Sequence, residues 1–361
     1  MSRSDAARPR EVAREAWRNV LTGAARTGRW TLLATAVWAA GGWLEARQTA
    51  GMVEESTAYV AGGGATWVLG ADAAISGPAC DALGDAPGIH GAGALRQRQD
   101  QLTLAVLPSA PLPVYEVTPG LMRLFALPPT VGVGLPAAAA DRLGLTPPAE
   151  VITRSGPVRV AGVYDYPDDG RRGGLGYAVL SPVVSTKAFD ECWFQVWPTD
   201  ERAKALAWTA LLPGVQDLAG QPPQLSQLNP TFQASFDGAA AFTRRATRWA
   251  PAATLSAGLI LGAASVWARR LEVAADLHAG LGRAALTARL SGESLVWVAL
   301  AVPLAVSVVI GAVWGVTWAA WGVVATGLRA VGSGAFGALA GALLAVCAIR
   351  ERQLFAYFKS R

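Results

Sequence analysis

The stretch RRLEVAADLHAGLGRAALTARLSGE, residues 269–293, decides how the rest of the chain is read. It carries seven charged groups (Arg269, Arg270, Glu272, Asp276, Arg283, Arg289 and Glu293), while residues 249–268 before it and 294–316 after it carry none. Charges gathered in one connector between two uncharged runs mark a polar elbow joining two membrane-crossing helices. Each run has the ~20 residues needed to cross ~30 Å of hydrocarbon. Trp249 and Trp267 lie about 27 Å apart along a helix, and Trp297 and Trp314 about 26 Å, so each pair places a ring at both interfaces.

Within the stretch, residues 269–279 continue as helix, and Gly280 and Gly282 bracket Leu281 to end it, since left-handed glycine is the usual helix stop. Residues 283–293 lead back as a second helix. A short exposed helix pinned between two spans suits a groove on another protein. An amphipathic elbow resting on lipid headgroups has the same periodicity.

Composition agrees with bilayer contact. Of 361 residues, 52% are apolar and 16% charged, against roughly 25% charged in soluble domains. Net charge is +5, and only three of the 31 basic residues are Lys, which with the Ala and Gly excess fits a high-GC bacterial genome.

Two weaker runs flank the clear pair. Residues 30–44, WTLLATAVWAAGGWL, are followed by Glu45 and Arg47, where the helix is expected to leave the bilayer. Residues 331–349, VGSGAFGALAGALLAVCAI, end at Arg350. Gly332, Gly334 and Gly337 spell a dinucleotide fingerprint, but it lacks the strand before and the acid after that give it meaning. Gly337 and Gly341 read instead as a small-xxx-small packing face, and Cys347 as a small apolar packing residue. The leader, with Asp5, Glu11 and Glu15, is long and acidic for a signal peptide.

Basic residues set the orientation. Residues 1–29 hold seven Arg, the 269–293 connector four, and the tail after 349 four Arg or Lys, whereas 317–330 hold only Arg329. The three rich segments share one side, which the positive-inside rule makes cytoplasmic. The expected fold is therefore an α-helical membrane protein of the bacterial plasma membrane with both termini cytoplasmic. It has four transmembrane helices and a large α+β extracytoplasmic domain between the first and second. Its segments are a cytoplasmic amphipathic leader (1–29), the first span and stalk (30–52), the outside domain (53–240), a stalk and second span (241–268), and a cytoplasmic coupling segment (269–293). A third span (294–316), a short outer connection (317–330), a fourth span (331–350) and a cytoplasmic tail (351–361) complete it.

In the outside domain TAYVAGG (57–63), TWVLGA, QLTLAVL, PVRVAGVYDY and CWFQVWP read as strands; PAAAADRLGL and ERAKALAWTALL have helical spacing. The loop YPDDGRRGGLG (166–176) reads as a solvated hairpin rather than a ligand site. Cys80 and Cys192 fall in a compartment that permits a disulfide, and sequence leaves open whether they pair. The two His, His90 and His278, form no zinc spacing with Cys, no nucleophile elbow or phosphate loop appears, and Asp165, Asp168 and Asp169 share only a loop. No catalytic residue, resident metal or nucleic-acid partner is expected. The spans lack Asp, Glu, Lys and Arg, which argues against a proton-coupled carrier or ion channel and for helices that act as movable struts.

Arg269-Arg270-x-Glu272-Val273-Ala274, a turn at Ala279-Gly280-Leu281-Gly282, and Glu293 opening a span resemble the FtsX-like permease family, the membrane subunits of MacB-type (type VII) ABC systems. The layout is similar too: a basic leader REVAREAWRNVLTGAARTGRW, one large outside domain, then three spans. SGPACDALGDAPGIHGAGAL and VGLPAAAADRLGLTPPAEVITRSGPVRVAGVYDYP are similar to segments of MacB-type extracytoplasmic domains. The chain departs from the family's Ala-Leu-Gly turn by an extra Gly.

The resemblance implies a non-catalytic subunit that pairs with a second permease copy or a sister permease. It implies a separate ABC ATPase dimer, carrying ATP and Mg, that engages the elbow through Arg269, Arg270, Glu272, His278, Gly280, Gly282, Arg283 and Glu293. The stroke would export or extract an outside molecule, or activate a lipoprotein, adaptor or cell-wall hydrolase. SQLNPTFQASFDGAAAFTRRATRW would form the outer stalk, with Arg244, Arg245 and Arg248 on one face towards anionic lipid headgroups. The alternative is a membrane-anchored sensor or scaffold whose outside domain binds a ligand without any ATPase.

Overall fold

The computed structural model describes residues 9–129, 131–214, 222–315 and 320–350. In chain order the elements begin with α1 (Pro9–Leu21), α2 (Thr27–Ala61), β1 (Thr66–Ile75), α3 (Gly77–Ala82), β2 (Ile89–Leu104), β3 (Leu107–Val117), α4 (Pro119–Leu124) and β4 (Val133–Pro136). There follow α5 (Ala137–Leu143), β5 (Ala149–Thr153), β6 (Gly156–Tyr164), β7 (Val179–Pro182), β8 (Phe189–Val196), α6 (Glu201–Leu206) and β9 (Gln224–Gln227). The chain ends with α7 (Gly238–Arg244), α8 (Ala250–Trp267), α9 (Arg270–His278), α10 (Arg283–Ala312) and α11 (Ala320–Ala348). These elements form two compact units, one from residues up to Glu54 and from Gly238 onward, the other from Glu55–Asp237.

In the helical unit, three helices among the described residues are long and apolar enough to cross a membrane: α8 with the turn before it (Ala246–Trp267), α10 and α11 (Trp321–Ala348). The first expected span lies in α2, whose 35 residues are long enough but whose Trp, Thr and Gly, with Glu45 and Arg47, dilute its apolar run. That helix does not stop at Glu45. It continues to Ala61, so TAYVAGG, expected as a strand, is mostly its last two turns. Tyr59 explains this, because its ring is buried against Trp197, Phe232 and Phe236, and Gly63 at φ 83° breaks the helix just beyond. α10 starts at Arg283, and α11 already runs from Ala320, inside the segment read as an outer connection. Residues 317–319 of that connection and the tail 351–361 lie outside the described residues.

Small residues draw the helices together. A Cβ on Gly258 would strike the Gly334 carbonyl and one on Gly262 that of Ala338, both from α8 onto α11. Gly337 and Gly341 meet the Leu255 and Leu259 carbonyls in the same way. Backbones this close gain dispersion and weak polar contact where lipid offers no hydrophobic drive. The Thr254 hydroxyl ties the pair, donating to Ala330 O at 2.7 Å. Trp38 of α2 stacks on Trp297 of α10 with centroids 6.1 Å apart, among buried Ala301, Ala305, Val309 and Val331. Cys347, expected to pack, is exposed, because 343, 344, 347 and 348 share the outer face of α11.

Two expectations for the segment before α8 change. There is no continuous stalk: β9, irregular chain and the seven-residue α7 precede it. Nor do three arginines share a face. α7 ends at Arg244, and Arg245 is extended at φ −56°, ψ 142°, which turns its side chain inward onto Glu45 with only 9% exposure. Arg248 lies over the Trp249 ring at 5.2 Å.

The sheet unit is a nine-stranded mixed sheet ordered β3-β7-β4-β6-β5-β2-β8-β1-β9, and β3 also pairs with β2. That extra pairing closes β2, β3, β7, β4, β6 and β5 into a ring. One buried side chain from each strand fills it: in that order Leu104, Val114, Val179, Leu135, Val160 and Val151. Beyond the ring, β8, β1 and β9 extend from β2. Side chains there alternate with the strand period of two: Leu69 and Phe194 enter one core, and Val68 and Trp193 the other. A disulfide joins Cys80 of α3 to Cys192 of β8, with Cα atoms 5.8 Å apart and a sequence separation of 112.

Two outcomes are expected. Replacing both Cys80 and Cys192 by Ala should lower the stability of the sheet unit by about 2–5 kcal/mol, because a long loop is no longer closed in the unfolded chain. Denaturant unfolding with and without reductant measures this. Gly337→Leu with Gly341→Leu should force α8 from α11 and lower the melting temperature of the detergent-solubilised chain, whereas Leu343→Ala on the exposed face should not.

Candidate functional site

The elbow is built from the packing of α9. Val273 and Ala274 are fully buried against Leu286 and Leu290 of α10 and Ala345, Val346 and Ile349 at the end of α11. α9 then ends in a Schellman turn. Gly280 N donates to Leu277 O at 3.1 Å and Leu281 N to Asp276 O at 3.0 Å, with Gly280 left-handed at φ 91°. Gly282 plays a different part from the one expected, since it is extended (φ −65°, ψ 141°) and opens α10. Leu277 and Leu281 tuck inward, which leaves His278, Ala279, Gly280, Gly282, Arg283 and Ala284 exposed on the turn.

Behind this turn lies a charge cluster. Arg269, 10% exposed, pairs with both Glu272 and Glu293; its Nε donates to Glu272 Oε2 at 2.8 Å. Arg289, 4% exposed, donates to Glu15 Oε1 at 3.0 Å and to Asp276, and lies 3.7 Å from Glu272. Asn19 Nδ2 donates to Glu293 Oε1 at 2.7 Å. α1 thus packs on α10, where Ala16 faces Gly292.

Desolvating two arginines is costly, and only carboxylates in good geometry offset it. The arrangement therefore fixes the register of α1, α9 and α10 against one another. Burial, the largest influence on Glu272, pushes its carboxyl up. The hydrogen bond from Arg269 and the charges of Arg269 and Arg289 outweigh it and hold Glu272 below its usual range.

Of the residues singled out in the sequence, the structure brings Arg269, Glu272 and Glu293 together and leaves Arg270 half-buried beside them. It sets His278, Gly280, Gly282 and Arg283 apart on the turn. Sequence reading missed Glu15, Asn19, Asp276 and Arg289. The spacing was visible, with Glu15 and Asn19, Glu272 and Asp276, and Arg289 and Glu293 each one helical turn apart. What the spacing did not reveal is which faces meet.

The sheet unit has a concave feature of its own. The loop 166–176, read as a solvated hairpin, is mostly exposed but is also pinned at several points. Arg171 pairs with Asp169 at 2.7 Å and donates to Ala61 O at 3.1 Å. Arg172 pairs with Glu191 at 2.7 Å, and the Glu191 carboxylate also accepts from Trp193 Nε1 at 2.8 Å. Buried Asn229 donates to Gly62 O at 2.8 Å. The hydrogen bond from Arg171 holds the Asp169 carboxyl below its ordinary value. Pro136, Asp165, Tyr166, Asp168, Arg171 and Tyr177 line a cavity of about 500 Å³. His90 Nε2 lies 2.7 Å from Trp197 O. Among the described residues no group of three His, Cys, Asp or Glu is placed to hold a metal.

No family model matches the chain, and no curated protein matches it. Among solved structures the chain is similar to the periplasmic region of MacB from Actinobacillus actinomycetemcomitans, with 12% identity and a TM-score of 0.31 over 40% of this chain and 81% of that one. A likeness that slight carries no argument.

The cluster makes two predictions. Arg289→Met leaves Asp276 and Glu15 without their cation and should destabilise the helical unit, by less than the ~3 kcal/mol of a fully buried pair because both carboxylates reach solvent, read from thermal unfolding in detergent. The Glu272 carboxyl is depressed in the folded chain, so its contribution is present above the unfolded value of ~4.3 and disappears as pH falls through the folded value. A Glu272→Gln variant should lose that part of the acid dependence below about pH 4.3.

Proposed function

We propose that this chain is the membrane subunit of an FtsX-like, MacB-type ABC system, passing ATP-driven motion from a separate ATPase to an extracytoplasmic sheet domain. The observation that carries this reading is the elbow: an exposed turn braced by two buried arginines and their carboxylates between two apolar helices. A turn so braced transmits displacement instead of absorbing it. The motif resemblance at 269–293 supports the same reading.

In this proposal α2 supplies the fourth span beside α8, α10 and α11. Both termini and the elbow lie in the cytoplasm of a bacterial cell, as the basic residues favour, and the sheet unit lies outside. The chain hydrolyses nothing itself. ATP and Mg belong to an ATPase dimer that receives the turn at Ala279–Ala284, and a second permease copy or sister permease completes the complex. Motion reaching the sheet unit exports, extracts or activates an outside partner. A sensor or scaffold working without an ATPase is the second reading, favoured by the cavity beside the loop 166–176.

Purification from gently solubilised membranes should recover an ATPase whose activity the reconstituted chain stimulates. Ala279→Asp with Arg283→Glu, both exposed, should cut that stimulation about tenfold or more, as losing a central interface contact does, while insertion stays intact. Stimulation undiminished in the variant would sink the docking role.

A further inference from the structure

Glu45 and Arg245 are far apart in sequence and buried together in the helical unit, with side chains 1% and 9% exposed. Arg245 Nη2 and Nε donate to Glu45 Oε1 at 2.7 and 2.9 Å. Its remaining nitrogen donates to Phe242 O at 2.6 Å, and the guanidinium lies 3.8 Å from the Phe242 ring centroid. One turn further along α2, Gln48 Oε1 accepts from Thr247 N at 3.0 Å. The Thr49 hydroxyl donates back to Glu45 O at 2.8 Å and meets Thr326 of α11.

The place of this pair in the chain gives it meaning. The polypeptide enters the sheet unit at Glu55 and leaves it at Asp237, so the helical and sheet units share two covalent connections. Glu45 lies shortly before the first and Arg245 shortly after the second. From Glu45 to Ala61 the first connection is unbroken helix, and within the sheet unit its last turns are held by Tyr59, Arg171 and Asn229. The second connection has only the short α7 and would flex if left alone. A buried ion pair adds little net stability, because desolvation offsets the Coulomb gain, but it penalises every misaligned arrangement.

We propose that the Glu45–Arg245 pair is a clamp that makes the two connections move as one. In the transport reading it keeps the second connection from slipping while the first is displaced, so that part of the inference rests on the proposed function; the clamp itself does not.

The test uses the full chain with Cys347→Ser and cysteines at Gln48 and Thr247. In membranes without any ATPase, a short thiol crosslinker should join the two positions rapidly. Glu45→Gln should slow the reaction about tenfold or more, through the cost of an unpaired buried Arg245, while exposed Arg47→Gln leaves it unchanged. An equal rate in Glu45→Gln chains that keep the Cys80–Cys192 disulfide and a monodisperse profile overturns the clamp. The crosslinked chain should also stimulate the ATPase within about twofold of the uncrosslinked one. Loss of stimulation on crosslinking alone overturns the claim of joint motion. A chain that stimulates no ATPase in either state sinks the transport reading, and the crosslinking rates then decide the clamp.

Discussion

The helical unit depends on pairing the few arginines that its packing buries. Arg269 and Arg289 sit where three helices converge, and each is surrounded by carboxylates from different elements. Such a cluster tolerates little displacement, because moving one helix strands a buried ion whose solvation is then unrecovered. The same constraint recurs at Glu45 and Arg245, on the segments that lead to and from the sheet unit. Charge here contributes positional definition more than net stability.

Between these polar fixtures the helices are held by shape. α8 and α11 meet through glycines so closely that a methyl group on any of four would collide with the facing backbone. Trp38 and Trp297 fill the broader space where α2 meets α10. The first contact admits almost no sliding. The second is a stack of large rings whose neighbours are alanines and valines.

The sheet unit solves its own edge problem. By pairing with both β7 and β2, β3 closes six strands into a ring with a filled interior, which removes the edge that β3 would otherwise offer to unwanted pairing. The disulfide fastens α3 to the strand adjoining that ring. What remains open is the cleft beside the loop 166–176, where exposed turn residues are held by arginine pairs.

Sequence alone determined the apolar runs, the charged elbow between them and the presence of a strand-rich segment, because hydropathy and period-two alternation are local properties. It determined that α9 must stop at Gly280, since few other residues adopt a left-handed turn there. Only the tertiary structure decided that α2 runs past Glu45, because a buried partner 200 positions away makes that charge tolerable. It also decided that Glu15, Asn19 and Arg289 belong to the elbow, and that Arg245 faces inward rather than towards lipid. In each case a polar group's place depends on which distant group neutralises it, and no local pattern encodes that choice.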